Sequence, residues 1–213
     1  MGDYASLHIS TNGGDSWKQA YLRTADENPQ NTVIPQSSTY QSNGLENSTV
    51  HDILYADSTI VLAGIDAGGI IRSIDNGISW KKISIPAKFS TCYDFEISDG
   101  IIYAAVSSLS SLYSIGKVSD ILINTAPSAI LQSTDKGITW SIAKEFPSPI
   151  SSLCIDPQNP KRLYAGLAHS TQGGIIVNDN ISGGGTWKNL ANPPRTEGHP
   201  HTIKVLKLSL IHI

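Results

Sequence analysis

The stretch NPPRTEGHPH, Asn192 to His201, holds Arg195, Glu197, His199 and His201 within seven positions. A guanidinium grips a carboxylate through two parallel hydrogen bonds, a glutamate acts as acid or base, and imidazoles titrate near neutrality. The combination points to general acid/base work on a polar substrate. Glu197 and His199 are the catalytic candidates here, and Arg195 and His201 the ligand-binding ones. Two more candidates sit beside glycines, which let a ligand come close to the main chain. These are Asp66 in AGIDAGG, a third catalytic candidate, and His169 in AGLAHSTQGG, a ligand-binding one. Asp94, which follows IPAKFSTCY with its Lys88, is expected to face a ligand from the start of an inner strand. Tyr40, in the polar connection from about Thr24 to Ser48, is a candidate for stacking on a sugar ring. His199 and His201 are the only close histidine pair, no HExxH or CxxC spacing occurs, and no glycine-rich phosphate loop is present. Neither a metal nor a cofactor is expected.

A repeat positions these residues. SIDNGISW (Ser73, Asp75, Gly77, Trp80) and STDKGITW (Ser133, Asp135, Gly137, Trp140) are near copies, and STNGGDSW (Ser10, Asn12, Gly14, Trp17) is a third with asparagine for aspartate. NISGGGTW, ending at Trp187, is an eroded fourth, with Asn180 in the serine place and Ser182 in the aspartate place. The tryptophans fall 63, 60 and 47 residues apart. A period of about 40 to 50 residues is that of propellers and related arrays, whose units bury their faces against one another, and the longer spacings imply loop insertions. Each unit reads as four short strands, for example HDILYA, TIVLAGI, GGIIRSI and WKKISI, separated by Asp, Ser, Gly and Asn. The motif falls between the third and fourth strands. Its glycine supplies a positive φ, its carboxylate accepts turn N–H groups and its tryptophan packs beside the turn. A residue repeated in every unit serves architecture, so Asp75 and Asp135 are structural.

The pattern S-x-D-x-G-x-x-W resembles the Asp-box, or BNR repeat, of sialidases, xyloglucan-active glycoside hydrolases, sortilin-type receptor domains and a photosystem assembly factor. IDPQNPKRLYAGLA, Ile155 to Ala168, is similar to the segment that opens blades in bacterial carbohydrate-active members. The resemblance implies an all-β propeller of four-stranded antiparallel blades. It also implies a site around the channel, on the face opposite the motif turns. By resemblance the protein is extracellular or periplasmic and acts on or binds a glycan, the alternative being a non-catalytic propeller that holds a protein partner. A sialidase would need an arginine cluster. Only Arg23, Arg72, Arg162 and Arg195 are present, and Val33-Ile34-Pro35 lacks the arginine of the sialidase signature.

The bulk numbers agree with this class. Charged residues are 15% of 213, net charge is -3, and no basic face for nucleic acid is visible. Cys92 and Cys154 each lie in an apolar stretch, as buried thiols do. No apolar run is long enough to span a membrane, and no signal peptide is visible at the first residues. The strand pattern amounts to half a blade, three blades and one further strand. The expectation is an incomplete ring, with 1–208 as one partial propeller domain and 209–213 as a non-native tail.

Overall fold

The computed structural model describes residues 6–22, 50–109, 125–169, 172–191, 200, 202–206 and 209–212; the side chains of 6, 18–22 and 209–212 are excepted. Sixteen strands run in chain order: β1 (Ser6–Ile9), β2 (Lys18–Leu22), β3 (Val50–Tyr55), β4 (Val61–Ile65), β5 (Gly69–Ser73), β6 (Lys81–Ile83), β7 (Thr91–Ser98), β8 (Ile101–Ser107), β9 (Ser128–Ser133), β10 (Ser141–Phe146), β11 (Ile150–Asp156), β12 (Asn159–Leu167), β13 (Gly174–Asn178), β14 (Trp187–Asn189), β15 (Ile203–Leu206) and β16 (Ser209–His212). Three antiparallel meanders form the blades β3–β6, β7–β10 and β11–β14. A single parallel bridge, Gly69 with Thr91, joins the first two. The pairs β1–β2 and β15–β16 flank them as separate two-stranded sheets. The expected further strand is therefore a hairpin, because Ser209–His212 pairs back on Ile203–Leu206.

The apolar residues sort into four clusters, one for each contact between consecutive units. Leu7 and Ile9 pack against Val61, Ala63, Ile71 and Trp80. Leu54, Leu62 and Ile70 meet Phe95, Ile102 and Leu131. Tyr103 and Ile130 meet Leu153, Leu163 and Ile176. Cys154 and Ile175 meet Ile203 and Val205. A sheet with two buried faces needs near-continuous apolar strands, and VLAGI of β4 and IIYAAVS of β8 are such strands. Both cysteines are buried and free.

The motif turns are built as expected. In the second, Asp75 Oδ1 accepts from Ser73 Oγ (2.7 Å) and Ser79 N (2.8 Å), Ser73 Oγ accepts from Gly77 N (2.8 Å), and Trp80 Nε1 donates to Gly77 O (2.9 Å). Asp135 makes the same set with Ser133 and Thr139. In the first copy Asn12 Oδ1 replaces the carboxylate, accepting from Ser10 Oγ (2.9 Å) and Ser16 N (3.0 Å). The fourth copy needs a correction. Asn178, not Asn180, holds the serine place, since Leu163 faces it as Val61 faces Ser73 and Ile102 faces Ser133. Extra residues coil into a 3-10 turn at Ile181–Gly183, and Asn178 Nδ2 donates to Gly185 O (2.6 Å).

Candidate functional site

The first strands of the blades, β3, β7 and β11, share one design. Each carries a bulge at the same place, at His51, Tyr93 and Ser151. A bulge re-aims the side chains around it. The next residue is Asp52 in β3, Asp94 in β7 and Ser152 in β11. Asp52 Oδ2 accepts the Phe95 N–H (2.9 Å), and Asp94 Oδ2 accepts the Leu153 N–H (2.7 Å). Two residues further along, Glu96 accepts the Ile155 N–H and Cys154 sulfur accepts the Val205 N–H. Each inner strand thus uses polar side chains to hold the main chain of the next.

The electrostatics of this ladder are unusual. Asp94 Oδ1 also accepts the Phe95 N–H (2.9 Å), and its carboxyl hydrogen-bonds that of Asp52. Burial, opposed by the Leu153 amide and reinforced by Asp52 and Glu96, pushes the Asp94 carboxyl well above the carboxylate range. Burial likewise pushes Glu96 to about 7, against the pull of the Ile155 amide and Lys204. Both side chains keep a solvent-facing edge. Asp94 and Glu96 are thus two acids side by side on one strand, with the Asp52 carboxyl next to Asp94.

At the head of the strands the expected residues separate. Asp66 is only 2% exposed; its Oδ1 accepts from Thr91 Oγ1 (3.1 Å), whose oxygen in turn accepts the Ala67 N–H (3.0 Å). Its charge acts on His51, whose pKa burial nonetheless lowers. The His51 ring lies 4.8 Å from that of Tyr93, and Tyr93 Oη donates to Leu109 O (2.6 Å). His169 stands apart in the third blade. Its Nδ1 accepts the Gln172 N–H (3.0 Å), and it lines a cleft of about 660 Å³ with Ser148, Gln172 and Asn189. Arg195, Glu197, His199 and His201 lie outside the described residues, as do Arg23, Tyr40 and the connection around it. Pro200, between the two histidines in sequence, is buried, and its carbonyl accepts from Ser151 Oγ. Lys88 pairs with Glu145.

No protein-family model matches the sequence, and no curated protein does. Solved structures do. Over 90% of its length the chain superposes on an ancestral GH74 enzyme at a TM-score of 0.58 and 17% identity. A gluconolactonase from Xanthomonas campestris matches 78% of the chain at 0.59 and 11%. The chain has the β-propeller fold. The extracellular domain of a protein described as a one-component system from B. thetaiotaomicron matches 78% of it at 0.52 and 17%. This propeller chain spans 22%, 56% and 20% of those three proteins, respectively.

Of the residues singled out from sequence, Asp94 lies beside Asp52 on the inner strands, and Asp66 acts through its charge on His51. Asp52 and Glu96 were missed. The signal for Asp52 was the offset it shares with Asp94: HD in HDILY aligns with YD in CYDFE once the bulges are matched; Glu96 had only its place two residues after Asp94 on the same strand. Among the described residues no group of three or more His, Cys, Asp or Glu could hold a metal ion, and no helix is long and apolar enough to cross a membrane.

Proposed function

We propose that this chain is part of an extracellular Asp-box propeller protein that binds and processes glycans at its axis. The observation that carries the reading is the cluster of Asp52, Asp94 and Glu96, two of whose members retain a proton well above the ordinary carboxylate range. A carboxyl that is still protonated near neutrality can donate to a glycosidic oxygen. Asp52 and Asp94 touch, whereas glycoside hydrolysis uses carboxyls roughly 5–10 Å apart. In this reading Asp94 is therefore the acid, and Asp52 positions it. The second carboxyl in this reading is Glu197, with His199 beside it, on the stretch that leads into Pro200; Arg195, His169 and His201 serve as ligand contacts. The likeness to a GH74 enzyme supports the class at the level of fold.

The test is binding and turnover of soluble xyloglucan and mixed-linkage glucan by a protein containing this chain, beside Asp94→Asn and Glu197→Gln. Loss of turnover at least 100-fold in both variants, with folding intact, is expected. Unchanged turnover and binding in both variants would sink the assignment. A protein-binding role has one observation in its favour: Ile74, Ile78 and Ile138 are exposed together on the motif turns. Capture of a protein partner that Ile78→Glu abolishes, with no glycan binding, would favour it.

A further inference from the structure

Ile9, Arg72 and Gln132 stand directly before the motif serines Ser10, Ser73 and Ser133. Side chains alternate along a strand, so Arg72 shares the face of Ile70, which packs on the second blade, and Gln132 that of Ile130, which packs on the third. At the first two contacts between units this residue fills the space against the next motif turn. Ile9 Cδ1 would lie 3.3 Å from a Cβ placed on Gly77, and Arg72 Nε donates to Lys136 O (2.8 Å). At the third contact it does not. The Gln132 amide makes no hydrogen bond to the turn of the third blade, and a groove of about 560 Å³ opens between β10 and that turn.

The far wall of the groove has changed as well. Gly184 lies three residues before Trp187, as Gly77 and Gly137 lie before Trp80 and Trp140, and like them it has a positive φ. A Cβ at Gly184 would meet open space, whereas one at Gly137 would lie 2.7 Å from Leu62. Trp80 Nε1 and Trp140 Nε1 donate to the carbonyls of their glycines, at 2.9 and 3.3 Å. The part-buried indole of Trp187 rests on Phe146, 5.6 Å away edge to face, and its N–H has no acceptor among the described residues. The 3-10 turn at Ile181–Gly183 accounts for this, because it reshapes the motif around Asn178 and Gly185.

The groove is therefore rich in unused donors: the Gln132 amide, the Trp187 N–H, the hydroxyls of Ser182 and Thr186, and the Lys144 ammonium. Lys144 is exposed and has no ion-pair partner among the described residues, whereas Lys88, Lys136 and Lys188 pair with Glu145, Asp57 and Asp179. No Asp or Glu lines the groove. Its volume suits a small ligand, since such pockets run from roughly 300 to 1,000 Å³. A peptide strand added to β10 is disfavoured, because the bulge between Ile142 and Lys144 breaks the regular ladder of that edge.

We propose that this groove binds an acidic sugar, a uronate unit whose carboxylate meets Lys144 and whose hydroxyls meet Gln132, Thr186 and the Trp187 N–H. Indole and amide side chains offer a sugar ring an apolar wall and hydrogen bonds together, and the lone ammonium selects the acid. The site uses the outer strands of two blades and none of the inner-strand acids, so it does not rest on the catalytic reading above.

Calorimetric titration of a protein containing this chain with methyl β-glucuronide and methyl β-glucoside tests it. The glucuronide should bind roughly tenfold more tightly than the glucoside, and Lys144→Gln should abolish that preference. Gln132→Arg places in this groove the side chain that fills the preceding one, and should weaken glucuronide binding roughly tenfold or more without lowering the thermal midpoint. Asp94→Asn, on an inner strand, should leave glucuronide binding unchanged. Absence of binding, equal affinity for the two sugars, or binding indifferent to both Lys144→Gln and Gln132→Arg overturns the proposal. Loss of glucuronide binding in Asp94→Asn overturns it equally, by placing the sugar at the inner strands.

Discussion

Asp52 and Asp94 accept the same main-chain N–H, that of Phe95, each at 2.9 Å, and their carboxyls hydrogen-bond one another. Burial, together with that contact, holds the Asp94 carboxyl well above the carboxylate range. The Asp94 and Glu96 values are raised above those of the unfolded chain, so their contribution to stability is full at low pH and is lost as pH rises through the raised values. For Glu96 the window runs from its ordinary 4.5 to about 7. The motif carboxylates Asp75 and Asp135 are held low by turn hydrogen bonds, so their contribution is lost on the acid side, below the ordinary 3.8. Stability should peak near pH 5. Between pH 5 and pH 8 the thermal midpoint should fall by roughly 2–8 °C, what about 1–2 kcal/mol makes in a chain of this size once solvent screening is allowed for. Asp52→Asn should flatten that fall, since its amide donates to an ionised Asp94. A midpoint that rises from pH 5 to pH 8 would show that Asp94 and Glu96 are not held above the carboxylate range.

The motif turn offers a graded substitution. Asp135→Ala removes acceptors for Ser133 Oγ and for the Ile138 and Thr139 amides, and should cost about 1–3 kcal/mol in chemical denaturation. Asp135→Asn should cost less than half of that. Asn12 already shows how: its Oδ1 accepts what the carboxylate oxygen accepts, and its Nδ2 donates to Ser16 Oγ (2.8 Å). Equal losses for the two variants would mean that charge, not the acceptor oxygen, holds the turn.

How far the sequence discloses this molecule depends on the range of the interaction. The motif turns are legible because every partner of Asp75 lies within four residues of it. The strands are legible because β4 and β8 must be apolar on both faces. The acid ladder is not, because Asp52 meets Phe95 across 43 residues and Asp94 meets Leu153 across 59. Only the bulges reveal that Asp52, Asp94 and Ser152 share a register. Asp66 shows the same limit in another form. Its glycine-flanked loop reads as open to a ligand, yet Thr91, from the next blade, closes over the carboxylate.

The third motif also sits against its predecessor blade. Gly137 has φ +81, and a Cβ there would lie 2.7 Å from Leu62 Cδ2. Gly14 holds the same motif place with φ +101, and its nearest neighbour would be Trp17 at 3.9 Å. Gly14→Ala should therefore cost only the left-handed backbone, about 1–2 kcal/mol. Gly137→Ala should cost about 1–3 kcal/mol more, because the Leu62 side chain is fully buried and has no room to yield. Matching losses in the two variants, read by denaturant unfolding, would show that the two blades do not meet at this turn.

Two adjacent serines on β11 should respond in opposite directions. Ser151 Oγ donates to the Pro200 carbonyl and lies 3.3 Å from the Gly166 carbonyl, so it ties the approach to β15 onto the head of β11. Ser151→Ala strands a buried acceptor and should destabilise by about 1–2 kcal/mol. Ser152 takes the place of Asp52 and Asp94 in the ladder, but its hydroxyl is too short to reach the next strand. It is buried with no hydrogen-bond partner for Oγ. Removing a buried hydroxyl that bonds to nothing relieves its desolvation cost, so Ser152→Ala should stabilise by about 1 kcal/mol. Because the two sites are neighbours of equal size and similar burial, the sign of the difference isolates the hydrogen bond from the loss of packing. If Ser152→Ala destabilises as much as Ser151→Ala, the Ser152 hydroxyl has a partner in solution, and the ladder continues from β11 towards β15 through it.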